Sequence, residues 1–350
     1  MIFYKFIIYI ILLFTVHCGK NEVKPPKVRY FPENFYLYNR SSPLRAEILP
    51  GIGNTVFQIY SHGRTVLFSP VPREDLLKTE QLIGIPLMFP WANRLEGNYF
   101  YHNDKKYILN DNKNTLRRDK NGLPIHGLIL KDKNWKPEIV RNSETGSYYD
   151  SSFSFGKEFQ NLFPFEADLR QEIELIDNKL IFTLTVKNGS SDSFPLSLGY
   201  HPYFLVSEED RKTVSLFTNA SSYYETDSKL IPTGKKKKSS SVLPKDGKLE
   251  KKTLDTVFTD FPKGALRYSV LNFKKRNIRL ELIEGFDHLV LFVPEGKDFI
   301  CMEPMLGPTN VFNLAHRKKY KGLQKLDPGK SFRASFSIQI TEHPEEIHRK

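Results

Sequence analysis

Six side chains stand at places where a chain built of strands could do chemistry. His201 lies in Leu196-Ser-Leu-Gly-Tyr-His-Pro-Tyr-Phe204, a run that alternates through Leu196 and Leu198, turns at Gly199 and stops at Pro202. His126 sits in a second Gly/Pro-framed turn, Asn121-Gly-Leu-Pro-Ile-His-Gly127. Asn93 and Arg94 fall in a bent stretch between Gly84 and Gly97, where Pro86 and Pro90 argue against a regular helix or a central strand. Asp255 opens Asp-Thr-Val-Phe, and Glu303 follows the apolar Phe299-Ile300-Cys301-Met302 and precedes Pro304. An imidazole at a strand end is a natural acid or base near neutral pH. A carboxylate at the end of a buried strand serves a site or a salt bridge. Each residue also has a plain alternative. A lone histidine can be a hydrogen-bonded structural residue, Arg94 and Glu303 can pair with each other, and Asp255 can cap a turn.

The elements that must position these groups read as strands. Phe and Tyr are abundant, at 27 and 17, while 20 Gly and 22 Pro punctuate the chain. Long stretches of 3.6-residue period are hard to find, so the composition leans all-β. Short apolar runs at 46–49, 55–60 and 65–68 open the series. Leu169 to Ile176 and Lys179 to Lys187 alternate apolar and polar residues, with Asp177-Asn178 as the hairpin turn. Phe332 to Ile340 is apolar at every second position. With 350 residues and no repeat or inner boundary, the chain is expected to form one large antiparallel β-sandwich over 46–342.

Several chemistries drop out. The chain has no G-x-G-x-x-G, P-loop, H-E-x-x-H or G-x-S-x-G motif. His126 and His201 are not spaced as zinc ligands, and thiol partners are lacking. The net charge of +12 raises nucleic acid as a partner, but the lysines gather in Lys235–Lys238 and nearby positions among Gly, Ser and Asp. That pattern reads as a solvated loop, with a docking patch as the alternative. The two cysteines, Cys18 and Cys301, give no disulfide framework, and Cys301 reads as an ordinary buried thiol.

The N-terminus reads separately. Residues 1–16 are almost wholly apolar with one cation, Lys5, and Cys18 follows almost directly. The run is short for a membrane span of about 20 residues and long enough for the core of an export signal. It resembles a bacterial lipoprotein signal over 1–17 with Cys18 as the lipidated residue and 18–45 as a tether and extension. The expected location is therefore outside the cytoplasm, membrane-anchored or periplasmic.

Five motifs in one order resemble the aldose 1-epimerase (galactose mutarotase) family. They are Gly84 to Gly97, Leu-Pro-Ile-His126-Gly, Leu-Gly-Tyr-His201-Pro-Tyr-Phe, Leu-Asp255-Thr-Val-Phe and Cys-Met-Glu303-Pro. The resemblance runs from about Ala46 to Ile340 and implies a large β-sandwich with a cleft on one sheet. It implies that Glu303 takes the proton of the anomeric hydroxyl and His201 protonates the ring oxygen. His126 then bonds near that oxygen, Arg94 and Asp255 hold sugar hydroxyls, and Asn93 neighbours them. The implied partner is a small-molecule aldose, with no cofactor, no metal, no nucleic acid, and membrane contact only through an N-terminal lipid. A non-catalytic carbohydrate-binding lipoprotein and a hexose-6-phosphate 1-epimerase are the alternative readings. Trp91, Tyr200, Tyr203 and Phe204 offer apolar faces either to a sugar or to the core.

Overall fold

The computed structural model describes residues 34–39, 42–249 and 252–343. The expected leader at 1–17 and Cys18 lie outside these residues. Within the 18–45 extension, Phe35–Tyr38 is a strand paired antiparallel with Leu44–Leu49, and Leu37 is fully buried. The ordered sheet therefore starts before Ala46.

Two large antiparallel sheets make the body of the molecule, as the alternating sequence demands. The first orders its strands as Ser215–Thr218, Arg267–Asn272, Arg276–Glu284, Ser331–Glu342, Lys179–Asn188, Ala167–Ile176, Gly146–Phe155 and Lys136–Asn142. Its central hairpin turns at Asp177-Asn178, with Ile176 opposite Lys179. Asp177 takes φ 51°, the positive value that a two-residue hairpin loop requires. The second sheet runs Pro232–Lys238, Ser222–Thr226, Leu254–Thr259, His288–Val293, Phe299–Met305, Gly199–Tyr200 and Leu87–Met88. Tyr203–Leu205 also pairs with Phe299–Met305.

The period of two sorts the second sheet's side chains between two apolar layers. Tyr200, Phe204, Phe258, Leu289, Leu291, Ile300 and Met302 join the main core, together with Phe182, Leu280, Phe336 and Ile338 of the first sheet. Tyr200 stands 4.9 Å from Phe336, and its hydroxyl donates to Gln171 Oε1 at 3.1 Å, which satisfies its one polar atom inside the sandwich. The alternate positions face the other way. Tyr203, Tyr224, Val257, Val290, Cys301 and Met305 form a separate, thinner cluster with Met88 and Ala92. Glu303, flanked by Met302 and Pro304 and opposite Val290, belongs by parity to this second face.

The lysine run differs from the expected loop. Lys235 to Lys238 are exposed on Pro232–Lys238, which among the described residues is an edge strand paired only with Ser222–Thr226. Lys236 reaches Asp260 at 2.7 Å and Lys237 reaches Glu225 at 2.5 Å. Cation–carboxylate pairing and a ladder on one side stabilise an extended form that charge alone reads as coil.

Candidate functional site

The face that carries Glu303 also carries every other candidate, delivered by separate strands and loops, with Asn93 and Arg94 sharing one loop. Glu303 comes from Phe299–Met305, of which all seven residues are buried. Asp255 comes from Leu254–Thr259, opposite Phe292. It is a strand residue and caps no turn.

His201 is aimed by the bend that the sequence marks with Gly199 and Pro202. A Cβ at Gly199 would lie 2.8 Å from the Pro304 carbonyl oxygen and 2.9 Å from Met88 Cε, so the strands close up only over a glycine. The His201 amide donates to the Pro86 carbonyl at 3.0 Å. Tyr203 stacks on the imidazole at 4.5 Å and 8°, and Phe292 meets it edge-on at 6.4 Å.

His126 sits at φ 67° and is followed by Gly127 at φ 72°. A Cβ on Gly127 would fall 2.2 Å from the Phe89 carbonyl oxygen. This double left-handed turn presses the His126 loop onto the Asn93 loop, where the His126 amide donates to the Asn93 carbonyl at 2.9 Å. The two imidazoles then meet edge to face with centroids 5.0 Å apart.

Arg94 does not pair with Glu303. Its Nε donates to Asp119 Oδ2 at 2.7 Å and its Nη2 to Asp255 Oδ2 at 3.1 Å. Asn93, itself at φ 54°, accepts from the Arg94 amide at 2.8 Å and from Nη1 at 3.0 Å through Oδ1. Burial works against the guanidinium charge, but Asp255 and Asp119 outweigh it and hold the group protonated. Asp260, five residues beyond Asp255 in sequence, is turned to Lys236 instead.

His201 and Glu303 meet closely and are both buried. His201 Nε2 lies 3.3 Å from Glu303 Oε1, with side chains 5% and 2% exposed. Burial pushes the imidazole down to about 3, and the charges of Arg117 and Arg94 push the same way. Burial, then the Asp255 charge, pushes the Glu303 carboxyl well above its usual range, against the pull of Arg94. These two directions make the contact one between neutral groups, not an ion pair. His126 is likewise held neutral, by burial first, then by its neighbour His201 and by the charges of Arg94 and Arg117. Glu303 Oε2, His201 Nδ1 and His126 Nδ1 are buried with no hydrogen-bond partner among the described residues. Buried polar atoms left this way are uncommon, and three in one place fit a site built to meet a polar ligand.

The structure thus brings together all six candidates from the sequence. It adds Asp119, which sequence reasoning passed over. Asp119 opens Asp-Lys-Asn-Gly, and its Oδ1 accepts the amides of Asn121 at 2.8 Å and Leu123 at 3.0 Å. That is the signature of an Asx turn, and only the fold shows the second oxygen turned to Arg94. It also separates the four aromatics: Trp91, Tyr200 and Phe204 pack in the main core, and Tyr203 alone lies on the site face.

Comparison with known proteins agrees with this architecture. The model of the family described as aldose 1-epimerase matches residues 45–339. A galactose mutarotase-like protein from Clostridium acetobutylicum superposes with TM-score 0.74 at 24% identity, covering 87% of this chain and 94% of that one. The Slr1438 protein from Synechocystis gives 0.70 at 24%, covering 89% and 96%. Galactose 1-epimerase from Lactobacillus acidophilus gives 0.67 at 18%, covering 89% and 100%. At these identities the likeness to the solved structures is one of fold.

Proposed function

The chain belongs to the aldose 1-epimerase family, and on that premise we propose that it interconverts the α and β anomers of an aldose by acid–base opening and closing of the ring. The observation that carries this reading is the 3.3 Å approach of His201 Nε2 to Glu303 Oε1 within a buried face. Opening a pyranose needs a proton taken from the anomeric hydroxyl and a proton given to the ring oxygen. Those two oxygens share one carbon, so the base and the acid must stand close together.

The proton count is simple. Glu303 as carboxylate accepts the O1 proton while His201 as imidazolium delivers one to O5, the C1–O5 bond breaks and C1=O1 forms. The pair ends as carboxylic acid and neutral imidazole. Rotation about C1–C2 presents the other aldehyde face, both transfers reverse, and the opposite anomer closes. Over a full cycle no proton is gained or lost. Burial favours the neutral pair, which is the form that accompanies the open aldehyde. Binding must therefore supply what the ion pair needs: sugar hydroxyls that satisfy Glu303 Oε2 and the imidazole. Arg94 and Asp255 hold further hydroxyls in this reading, with Asn93 orienting Arg94 and His126 bonding near the ring oxygen. An aldose hydroxyl both donates and accepts, which matches a cation and a carboxylate set side by side.

Polarimetry or exchange NMR on freshly dissolved α-galactose and α-glucose tests the activity. The expected result is equilibration faster than in buffer alone. A rate equal to that of buffer with every common aldose, alongside measurable sugar binding, would leave only a non-catalytic sugar-binding role. The leader and Cys18 carry a second proposal, export with a lipid on that cysteine. Fatty-acid labelling lost in Cys18→Ser supports it, and label retained in that variant refutes it.

A further inference from the structure

Asn310 breaks a local rule beside the site. It is the N-cap of the short helix Val311–His316, and it is left-handed at φ 62°. An N-cap asparagine ordinarily spends its side chain on the amides of its own helix. This one makes no such bond. Its Nδ2 donates to Glu96 Oε2 at 3.0 Å, and its Oδ1 accepts from the Glu96 amide at 3.2 Å. Its own amide donates to the Arg94 carbonyl at 2.9 Å. One residue, 1% exposed, thus grips the chain on both sides of Leu95. Asn313 steadies the grip by donating from Nδ2 to Asn310 Oδ1 at 2.8 Å. The other oxygen of Glu96, Oε1, is occupied in turn, by the Tyr99 hydroxyl at 2.9 Å and by Arg317. Local rules are broken where another requirement outweighs them.

The requirement is visible in what the grip connects. Asn310 lies seven residues beyond Glu303 on the same segment. Between them the Leu306 amide donates to the Leu198 carbonyl at 2.9 Å, three residues before His201. One stretch of chain therefore begins at the carboxyl of the acid–base pair, touches the strand that leads to the histidine, and ends holding the backbone of Arg94. We propose that Asn310 is a positioning residue for Arg94, setting where the guanidinium stands relative to Glu303. This rests on the reading of Arg94 as a sugar-binding group.

Asn310→Gly is the informative variant, because glycine keeps the left-handed backbone and the amide bond to Arg94 while deleting the side-chain grip. The two bonds to Glu96 and the one from Asn313 are all removed, so KM for D-galactose is expected to rise about tenfold with kcat within about threefold. In an Arg94→Ala background the same change should add nothing to KM. A purely structural role would instead add equally in both backgrounds. The Nε–H resonance of Arg94, bonded to Asp119, should exchange with solvent faster in N310G. Wild-type KM together with unchanged exchange would overturn the proposal, as would additive effects. Asn310→Asp alone should raise KM by putting a carboxylate against Glu96, and adding Glu96→Gln should restore it by rebuilding the bridge. Failure of that rescue also counts against the proposal, and the rescue pair serves if N310G does not fold. If wild-type protein neither turns over nor binds sugar, the family-based reading falls, while the Nε–H exchange still decides the role of Asn310.

Discussion

The phenol ring of Tyr203 lies against the imidazole of His201, centroids 4.5 Å apart and planes 8° apart. Both rings are buried, and the stack closes one imidazole face to water. Removing the phenol should therefore wet the histidine and let its pKa climb back toward the ordinary value. We expect Tyr203→Leu to bring His201 into titration between pH 5 and 7, followed by NMR of the ring Cε1–H. Wild-type His201 should stay neutral throughout that range. A wild-type midpoint near 6.5 would sink this account of the stack.

Glu303→Gln and His201→Asn should each slow anomer exchange by about 10²–10⁴-fold, the usual worth of one positioned acid or base. Glu303→Gln is isosteric and His201→Asn keeps a polar side chain that fits within the space of the imidazole, so near-UV circular dichroism should show the fold retained. In the proposed mechanism the two groups act as one relay, so the double variant should be little slower than either single variant. A double variant whose losses multiply would show two independent roles.

Stability should vary with pH in two opposed ways. The folded pKa of His201 is depressed to about 3, so its contribution is present above the unfolded value and is lost as pH falls from about 6.5 toward 3. His126 acts in the same direction. The folded pKa of Glu303 is raised, so its contribution is present below about 4.5 and is lost as pH rises. Urea unfolding should accordingly show Glu303→Gln gaining on wild type above pH 5, by up to about 1.4 kcal/mol per pH unit. A parallel pair of curves would mean that the carboxyl ionises freely in the fold.

Asp119 is tested through its partner. Asp119→Ala leaves Arg94 with one carboxylate and lets the guanidinium swing toward Asp255. Breaking a buried pair on one side typically costs about 3–5 kcal/mol, and the 11% exposure of Arg94 places this pair near the lower end. The expected outcome is a lower melting temperature together with a raised KM. Asp119→Asn should recover much of the stability, because its amide oxygen still accepts from Nε, while the KM defect persists in part. Equal KM in all three proteins would remove Asp119 from the site.

The strands and the six candidates were legible because each leaves a local mark. A period of two reveals a half-buried strand, and Gly or Pro beside a histidine reveals the turn that aims it. His126 shows this well: Gly127 is needed because its Cβ would strike the Phe89 carbonyl. What was not legible depends on contacts across the fold. Arg94 meets Asp255 across a separation of 161 residues, and nothing near either residue announces the partner. The same holds for Asp119, whose visible local role in a turn hides its second one. The lysine run misled for another reason. Its charge reads as solvent exposure, which is correct, but exposure does not distinguish an edge strand from a loop.

That edge strand bears on how the molecule behaves among its copies. Among the described residues Pro232–Lys238 ends its sheet with one side of its ladder open. An incoming strand, from another copy or from a misfolding neighbour, would have to lie alongside four consecutive ammonium-bearing side chains and strip water from several of them. Residues in extended form with an open ladder are a template for aggregation, and lysines are the usual deterrent. The run thus guards the sheet whose inner strands carry Glu303 and Asp255, and neutralising it would endanger solubility before it touched the chemistry.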